Sequence, residues 1–571
     1  MRHPPHLEWL YRLGYTFQGN LSQYIYPPLR TRDAIRLVEL LPGGHDKPLQ
    51  CRLDVANLAD TPKYEALSYC WGDPIQTREI HLNEKPFSVT TNLHSALSKL
   101  RYADRTRKIW IDALCINQRD YAERNQQLLL MKSIYQRARR VVAWIGEETE
   151  SVHLAKNLLR HLRCLHQDSA DFTHSNSNPT YLKSLGLPDY ASPSWSHLRY
   201  FFRRPWFLRV WIIQEVVNAS QLQVICGSNP IDWEDIVGAA RCITESPMFA
   251  TTDLAKICQH VVFIDENKTR VQEGNISRLG LPQLLHGSRR CDASDLRDKV
   301  YGLYPLIADQ SRLPAPDYTK SVEEIYRETA VHIINTTGTL DILSCAGAAR
   351  HPRMRSFDIP SWAQMRSSKL PSWVPDWHAH DRSLPMTTFF PTTAVPQNFS
   401  LASDTNHLVL DGYIEDEIAS ISDTIQPVQD TVKAGNIDSI LRDWSSAQIV
   451  LEPTGEQLYI RDIFTHGTEV GNRGGLRAPK PRLAPRTDIT MKLLNGRRIF
   501  RSRRGFLGII SPYAAPGDKI ASLDGAGLLY AIRPAGLGQY QLIGECILGR
   551  VDGQGHLESV EATCKTKISL V

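Results

Sequence analysis

The sequence predicts an α/β fold: a parallel sheet with crossover helices in the amino-terminal part, then a mostly helical region, then a C-terminal β-rich region. Three observations carry this prediction. Short apolar runs (YEALSYCW, KIWIDAL, VVAWIG) alternate with helical periodicities between residues 64 and 146, the pattern of parallel strands joined by right-handed crossovers. Residues 255–345 read as mostly helical. From about residue 346, short strands and turns dominate. At roughly 100–200 residues per domain, 571 residues imply two to four domains. The expected division is 1–60 as an N-terminal extension, 61–230 as the α/β domain, 231–345 as the helical region and 346–571 as the β-rich region.

The elements follow in order. The first 60 residues are proline-rich and irregular, with one strand predicted at Ala34 to Leu40. YEALSYCW is a strand closed by Gly72, Asp73 and Pro74, and REIHLNEKPFSVT is a hairpin turning near Asn83. Leu93, Ala96, Leu97 and Leu100 fall at i, i+3, i+4, i+7 behind a Thr91 cap, which predicts a helix. After the strand KIWIDAL, Asp120 with Glu123 three residues on marks a helix start, and Leu128, Met131, Tyr135 and Ala138 form its apolar face. VVAWIG is a third strand. A helix from Val152 to His166 leads into the polar loop DSADFTHSNSNPT, and residues 206–219 read as one helix before the strand QLQVICG. Asp232 caps a further helix. No internal repeat or low-complexity block is present.

Composition excludes several classes. Hydrophobic content of 42% and charged content of 22% are ordinary for a soluble globular chain. A net charge of +5 over this length is too mild to imply nucleic-acid binding. The eleven cysteines are scattered without a CxxC pair, so neither a zinc ribbon nor a disulfide framework is expected, and a reducing, cytoplasmic setting is. The amino terminus lacks the apolar core of a secretory signal, and no apolar run approaches the roughly 18 residues of a membrane span. Walker, GxGxxG and GxSxG motifs are absent.

Two places combine chemistry-bearing residues with a predicted position. In a parallel sheet, ligands sit beyond the carboxyl ends of the strands. Asp112 leaves the strand IWI at such an end. If that strand and SYCW are parallel neighbours, Ser68, Tyr69, Trp71, Gly72 and Asp73 share a crevice with Asp112 and Asn117. The structural alternative is that Asp and Asn cap turns through their own side chains. Cys115 reads as a small core residue. The second place is Glu215, which shares a helical face with Leu208, Trp211 and Ile212. A carboxylate on an apolar face needs a partner or has a raised pKa. It is either a site for developing positive charge or half of an ion pair with Arg203, Arg204 or Arg209. Asp298 and Lys299 read as a structural helix start. The basic run RRIFRSRRG reads as a strand or hairpin with one solvated face, with nuclear import or an acidic partner as the alternative. His378 and His380 have no matching ligands, and no metal site is expected.

Taken together, YEALSYCWGD, TNLHSAL, IWIDALCINQRDYAERNQQLLLMKSIYQRARRVVAWIG and RPWFLRVWIIQE resemble, over residues 64–217 and in this order, the fungal heterokaryon-incompatibility (HET) domain. DLRDKVYGL, LPSWVPDW and the segment from GDKIASLDGAG to ILGRVDG resemble full-length members. SYCWGDP followed by LNEKP departs slightly from the pattern. The resemblance implies nonself recognition in filamentous fungi, with programmed cell death when incompatible cells fuse. It further implies similarity to Toll/interleukin-1-receptor (TIR) domains, some of which cleave NAD with a glutamate on a helix after a Ser-x-Trp-like motif. On that analogy Glu215 is the catalytic candidate of an NAD glycohydrolase. Ser68, Trp71, Gly72, Asp73 and Asp112 would then line the nucleotide crevice, with NAD as substrate rather than a resident cofactor. Two alternatives stand beside the enzyme: a module that signals by self-association or through a protein partner, and an accessory or regulatory protein whose 346–571 region binds a partner.

Overall fold

The computed structural model describes residues 24–44, 46–168, 179–189, 192–246, 253–275, 280–347, 369–379, 399–401, 406–424, 448–451, 456–459, 496–536, 538–549 and 565–571. The chain divides into two compact units, Met1–Ser321 and Val322–Val571.

In the first unit, β1 (Ala34–Leu40), β2 (Gln50–Asn57), β3 (Glu65–Tyr69), β4 (Thr77–Leu82), β5 (Lys85–Thr90), β6 (Arg107–Trp110), β7 (Val141–Trp144), β8 (Leu222–Cys226) and β9 (Asn229–Ile231) form one sheet. Its order is β5-β4-β2-β1-β6-β3-β7-β8-β9. The central strands β6, β3, β7 and β8 are parallel. In chain order they stand 2-1-3-4, the flavodoxin-like doubly wound order short of one strand. The chain steps from β3 to β6 on one side and then to β7 on the other, so the switch point lies at the carboxyl ends beside β3. Every residue of β3 and β7 is buried, as expected for a parallel strand covered on both faces.

The expected strands and helices are present, but the sheet is mixed. β1 runs antiparallel to both β2 and β6, and the pairs β4–β5 and β8–β9 are hairpins. Short turns permit only antiparallel pairing. The edge strands β5 and β9 contain Pro86 and Pro230, which cannot donate to a further strand. The β4–β5 loop is the two residues Asn83 and Glu84, both at positive φ (49° and 65°), the primed turn that matches strand twist. Asn83 is held there because its Oδ1 accepts from Leu53 N at 2.9 Å.

Helix boundaries differ from the sequence reading where side chains find other partners. The cap of the helix Thr91–Leu100 is Thr90, whose Oγ1 accepts from Leu93 N, not Thr91. Asp120 caps the helix Tyr121–Arg137 through Ala122 N and Glu123 N. The predicted single helix over 206–219 is two, Pro205–Leu208 and Trp211–Val217. Residues between them turn aside to pair with Asp292: Val210 N donates to its carbonyl at 3.0 Å, and its N–H donates to the Leu208 carbonyl. The loop predicted at 168–180 lies mostly outside the described residues.

The second unit begins with the helix Val322–Thr337. Its strands are β10 (Phe399–Leu401), β11 (Leu408–Ile421), β12 (Gln448–Leu451), β13 (Glu456–Tyr459), β14 (Arg498–Ser502), β15 (Leu507–Ile510), β16 (Lys519–Leu523), β17 (Leu529–Gly536), β18 (Gln539–Gly549) and β19 (Thr566–Leu570). The long, bulged β11 pairs with both β14 and β16. The path β11-β14-β15-β18-β17-β16 therefore returns to β11 and closes, which leaves those strands no free edge. Ile418, Phe500, Ile510, Ile520 and Ile543 are among its core residues. The basic run forms the β14–β15 hairpin, but its arginines are largely engaged by the chain itself. Arg497 is buried and paired with Glu545, Arg498 donates to the carbonyls of Ser422 and Ala514, and Arg503 pairs with Glu417 at 2.7 Å. His378 is described and His380 is not; no group of metal-ligating side chains is present among the described residues. No helix among them is long and apolar enough to cross a membrane.

Back in the first unit, Arg36 on β1 is 1% exposed. It donates to both Glu123 carboxylate oxygens, at 2.6 and 2.9 Å, and to the carbonyls of Cys115 and Pro27. Glu123 also accepts from Asn117 N at 2.6 Å, so it locks β1 and the turn after β6 to its own helix rather than closing a capping box. Replacing Arg36 by Met strands a largely buried carboxylate. We expect Arg36→Met to lower the unfolding free energy by about 3 kcal/mol, with partial recovery in Arg36→Met/Glu123→Met. Urea denaturation of the two variants checks this; equal loss in both would contradict it.

Candidate active site at the carboxyl ends of β3 and β6

β3 delivers Ser68 and Tyr69 into the turn Cys70–Gln76. Gly72 sits there at φ +84°, and a Cβ would lie 3.2 Å from that of Asn92, so a side chain is both strained and crowded. Asp73 spends its carboxylate on the turn, accepting from Ile75 N at 3.0 Å and Gln76 Nε2 at 3.2 Å. Asn92 pins the turn by donating to the Cys70 carbonyl and accepting from Trp144 Nε1. Trp71 turns back toward β6: its Nε1 donates to Asp112 Oδ2 at 2.8 Å.

Asp112 is the first residue of the short helix Asp112–Cys115 that follows β6. Its Oδ1 accepts from Ala113 N at 2.7 Å, and its carbonyl accepts from Gln118 Nε2 at 3.0 Å. Burial raises its pKa, opposed by Arg209 and by the Trp71 bond. The residue keeps partial access to solvent. The neighbouring Tyr69 hydroxyl is buried beside this carboxylate, and burial together with the Asp112 charge holds it well above its ordinary value. Asn117 caps the local turn by accepting from Arg119 N. Cys115 is buried, and its thiol is pushed up to about 12 by burial, so it is a core residue and no nucleophile.

Glu215 lies in the helix Trp211–Val217 and is 2% exposed. Its direct partner is a hydroxyl rather than an arginine. Ser68 Oγ donates to Glu215 Oε2 and accepts from Trp206 Nε1 at 2.9 Å. Of the two alternatives for Glu215, the ion pair with a neighbouring arginine is not the contact formed. Arg203 is exposed, and Arg204 donates to the carbonyls of Ile145 and Glu147. Arg209 donates to the Tyr69 carbonyl and acts on Glu215 and Asp112 only through its field. Burial pushes Glu215 up to about 7, with Arg209 and the Ser68 bond opposing and Asp112 adding to the rise. Burial works against the Arg209 charge, yet Glu215 and Asp112 outweigh it and raise its pKa.

The structure therefore brings Ser68, Trp71, Asp112 and Glu215 into one neighbourhood and leaves Gly72 and Asp73 to the turn beside it. Sequence reasoning passed over the weight of Arg209, the cation shared by both carboxyl groups, and of Trp206 and Tyr135. Tyr135 donates to the Leu67 carbonyl and lies in the fields of Glu215 and Asp112. The RPW segment beside Glu215 was the signal available for Trp206. Chemically, the site offers one carboxylate poised to gain or lose a proton near neutrality, a second at the end of β6, and a cation whose field acts on both.

A carboxyl group raised on folding binds its proton in the native state while the unfolded chain has already released it. Between about pH 4.5 and about 7, stability therefore falls as pH rises, by an amount of order 1–3 kcal/mol for Glu215. Glu215→Gln should remove that slope while keeping an acceptor for Ser68. Thermal unfolding of both proteins across this pH range measures it, and identical pH profiles would contradict the assignment.

Residues 64–215 match the family model described as Heterokaryon incompatibility protein (HET). Heterokaryon incompatibility protein 6, OR allele, of Neurospora crassa is 26% identical over 423 residues, covering 63% of this chain and 60% of that protein. The chain thus spans about three fifths of the length of the curated relative it matches. No solved structure matches the chain. The family match runs from the residue before β3 to Glu215 itself, so residues 64–215 carry the HET domain of this chain.

Proposed function

We propose that this protein acts in nonself recognition of the heterokaryon-incompatibility type and triggers programmed cell death, its 61–230 module hydrolysing the nicotinamide–ribose bond of NAD in the cytoplasm. The observation that carries this reading is the convergence of Glu215, Ser68, Asp112 and Arg209 at the carboxyl edge of a 2-1-3-4 parallel sheet, inside the segment that matches the HET family. That strand order, with a glutamate on a helix behind a serine- and tryptophan-bearing segment, supports the TIR-like reading. In the reaction the bond between nicotinamide nitrogen and ribose C1′ breaks, and its electron pair leaves with nicotinamide. Deprotonated Glu215 stabilises the oxocarbenium-like ribose. Water then adds to C1′ and gives ADP-ribose, its proton passing to solvent. Asp112 and Trp71 lie beside Ser68 and Glu215 at the ends of β6 and β3.

A second reading has its own support. Tyr121 and Leu129 on one helix are 46% and 52% exposed, and Glu215 is closed off from solvent. A module that signals by self-association would use such a surface and leave the carboxylate buried.

The test is cellular NAD after inducing the full chain in a fungal host, beside Glu215→Gln. On the enzymatic reading NAD falls before viability is lost, and Glu215→Gln slows the fall by about 100-fold or more. Death with steady NAD, abolished by Leu129→Glu, would replace it with the assembly reading. Neither death nor NAD loss would reduce the protein to an accessory role.

A further inference from the structure

The site described above is shut, and the question is what holds it shut. The helix Trp211–Val217 has seven residues, too few to persist without tethers. At its carboxyl end Lys268 Nζ donates to the carbonyls of Val216 and Ala219, at 3.1 and 2.7 Å. At its amino end Trp211 Nε1 donates to Asp298 Oδ2 at 3.0 Å. The other oxygen of the same carboxylate, Oδ1, accepts from the Tyr318 hydroxyl at 2.6 Å. Asp298 is buried, so both donors count. A Cβ at Gly302, one residue past the short helix Asp298–Tyr301, would lie 2.8 Å from the Asp298 carbonyl oxygen, so glycine suits the tight close of that helix.

Tyr318 belongs to the last stretch of the first unit, a few residues before the helix Val322–Thr337 begins the second. Its ring lies between two guanidinium groups, Arg124 at 3.9 Å and Arg297 at 5.2 Å from the ring centre. Arg297 also donates to the Tyr318 carbonyl and, at 3.0 Å, to that of Lys320. Asp317 N donates to the Tyr301 hydroxyl at 2.9 Å. Thr319 and Ser321 are exposed. The stretch is therefore a strap, fastened through the buried Tyr318 side chain and through the hold of Arg297 and Tyr301 on its backbone.

We propose that residues 317–320 are an inhibitory strap on the Glu215 site: Tyr318 holds Asp298, Asp298 holds Trp211, and release of the strap frees the helix that carries Glu215. A pull on the chain beyond Ser321, of the kind a partner of the second unit would exert, acts on Lys320, which Arg297 holds, and through it on Tyr318. The inference rests on the reading of Glu215 as the working group, and it makes Asp298 a positioning residue rather than a catalytic one.

Tyr318→Phe removes only the hydroxyl and keeps the ring between the two arginines. In the full chain, hydrogen exchange read by mass spectrometry should rise roughly tenfold in peptides covering both 316–321 and 211–217, with β1–β2 peptides unchanged. NAD loss should rise with it. Faster exchange in the strap alone, or in neither segment, overturns the proposal. Should the variant lose its fold, wild-type exchange in graded urea decides. The two segments opening together, with one free energy and one urea dependence below global unfolding, support the strap, and separate openings overturn it. Coupled exchange with steady NAD would keep the strap and remove the NAD chemistry. Glu215-dependent NAD loss with uncoupled exchange would remove the strap alone.

Discussion

A carboxylate carried on an apolar helix face must acquire either a proton or donors, because an unpaired charge in that setting is too costly to keep. Around Glu215 the first unit meets this requirement with Ser68 from β3, whose hydroxyl is itself anchored by Trp206. The arrangement ties the end of β3 to both short helices of the 205–217 segment. It also explains why one predicted helix is two. For Arg209 to reach the Tyr69 carbonyl and bring its field to bear on both Glu215 and Asp112, the backbone leaves the helix at 209–210 and borrows the backbone of Asp292 as its partner.

The same logic recurs at two further acids of this unit that are largely withdrawn from solvent. Glu123 is matched by Arg36 and by Asn117 N, and that match sets the turn after β6 from which Asp112 emerges. Asp298 is matched by Trp211 and Tyr318, and burial together with the nearby Asp295 raises its pKa to about 6. Each of the three acids joins segments far apart in sequence. The switch point of the sheet is consequently crowded with ionisable groups, as expected of a ligand-handling edge. It is also closed, because the tethers that satisfy the acids cover them.

Much of this was legible beforehand. The short runs EALSY, RKIW and VVAW, each bounded by turn residues or helical periodicities, fit strands, and the spacing of Leu93, Ala96, Leu97 and Leu100 fits a helix. Asp112 at a strand end and Glu215 on an apolar face stood out because each breaks its local pattern. The partners of Glu215 were not legible. Periodicity says which face a residue occupies but not which of Arg203, Arg204 and Arg209 lies across from it, and the hydroxyl of Ser68, 147 positions away, leaves no trace in local spacing. The mixed character of the sheet was hidden for the same reason, since β1 reads alike whether it pairs parallel or antiparallel.

What the sequence by itself determined is therefore the kind and order of the elements and the presence of the HET domain, for these depend on local propensity and on motifs contiguous in the chain. What only the tertiary structure decided is which polar groups share a charge and which segments hold the site shut. Hydrogen bonds and fields act over a few ångströms of space, and the fold alone sets which distant residues come within that range.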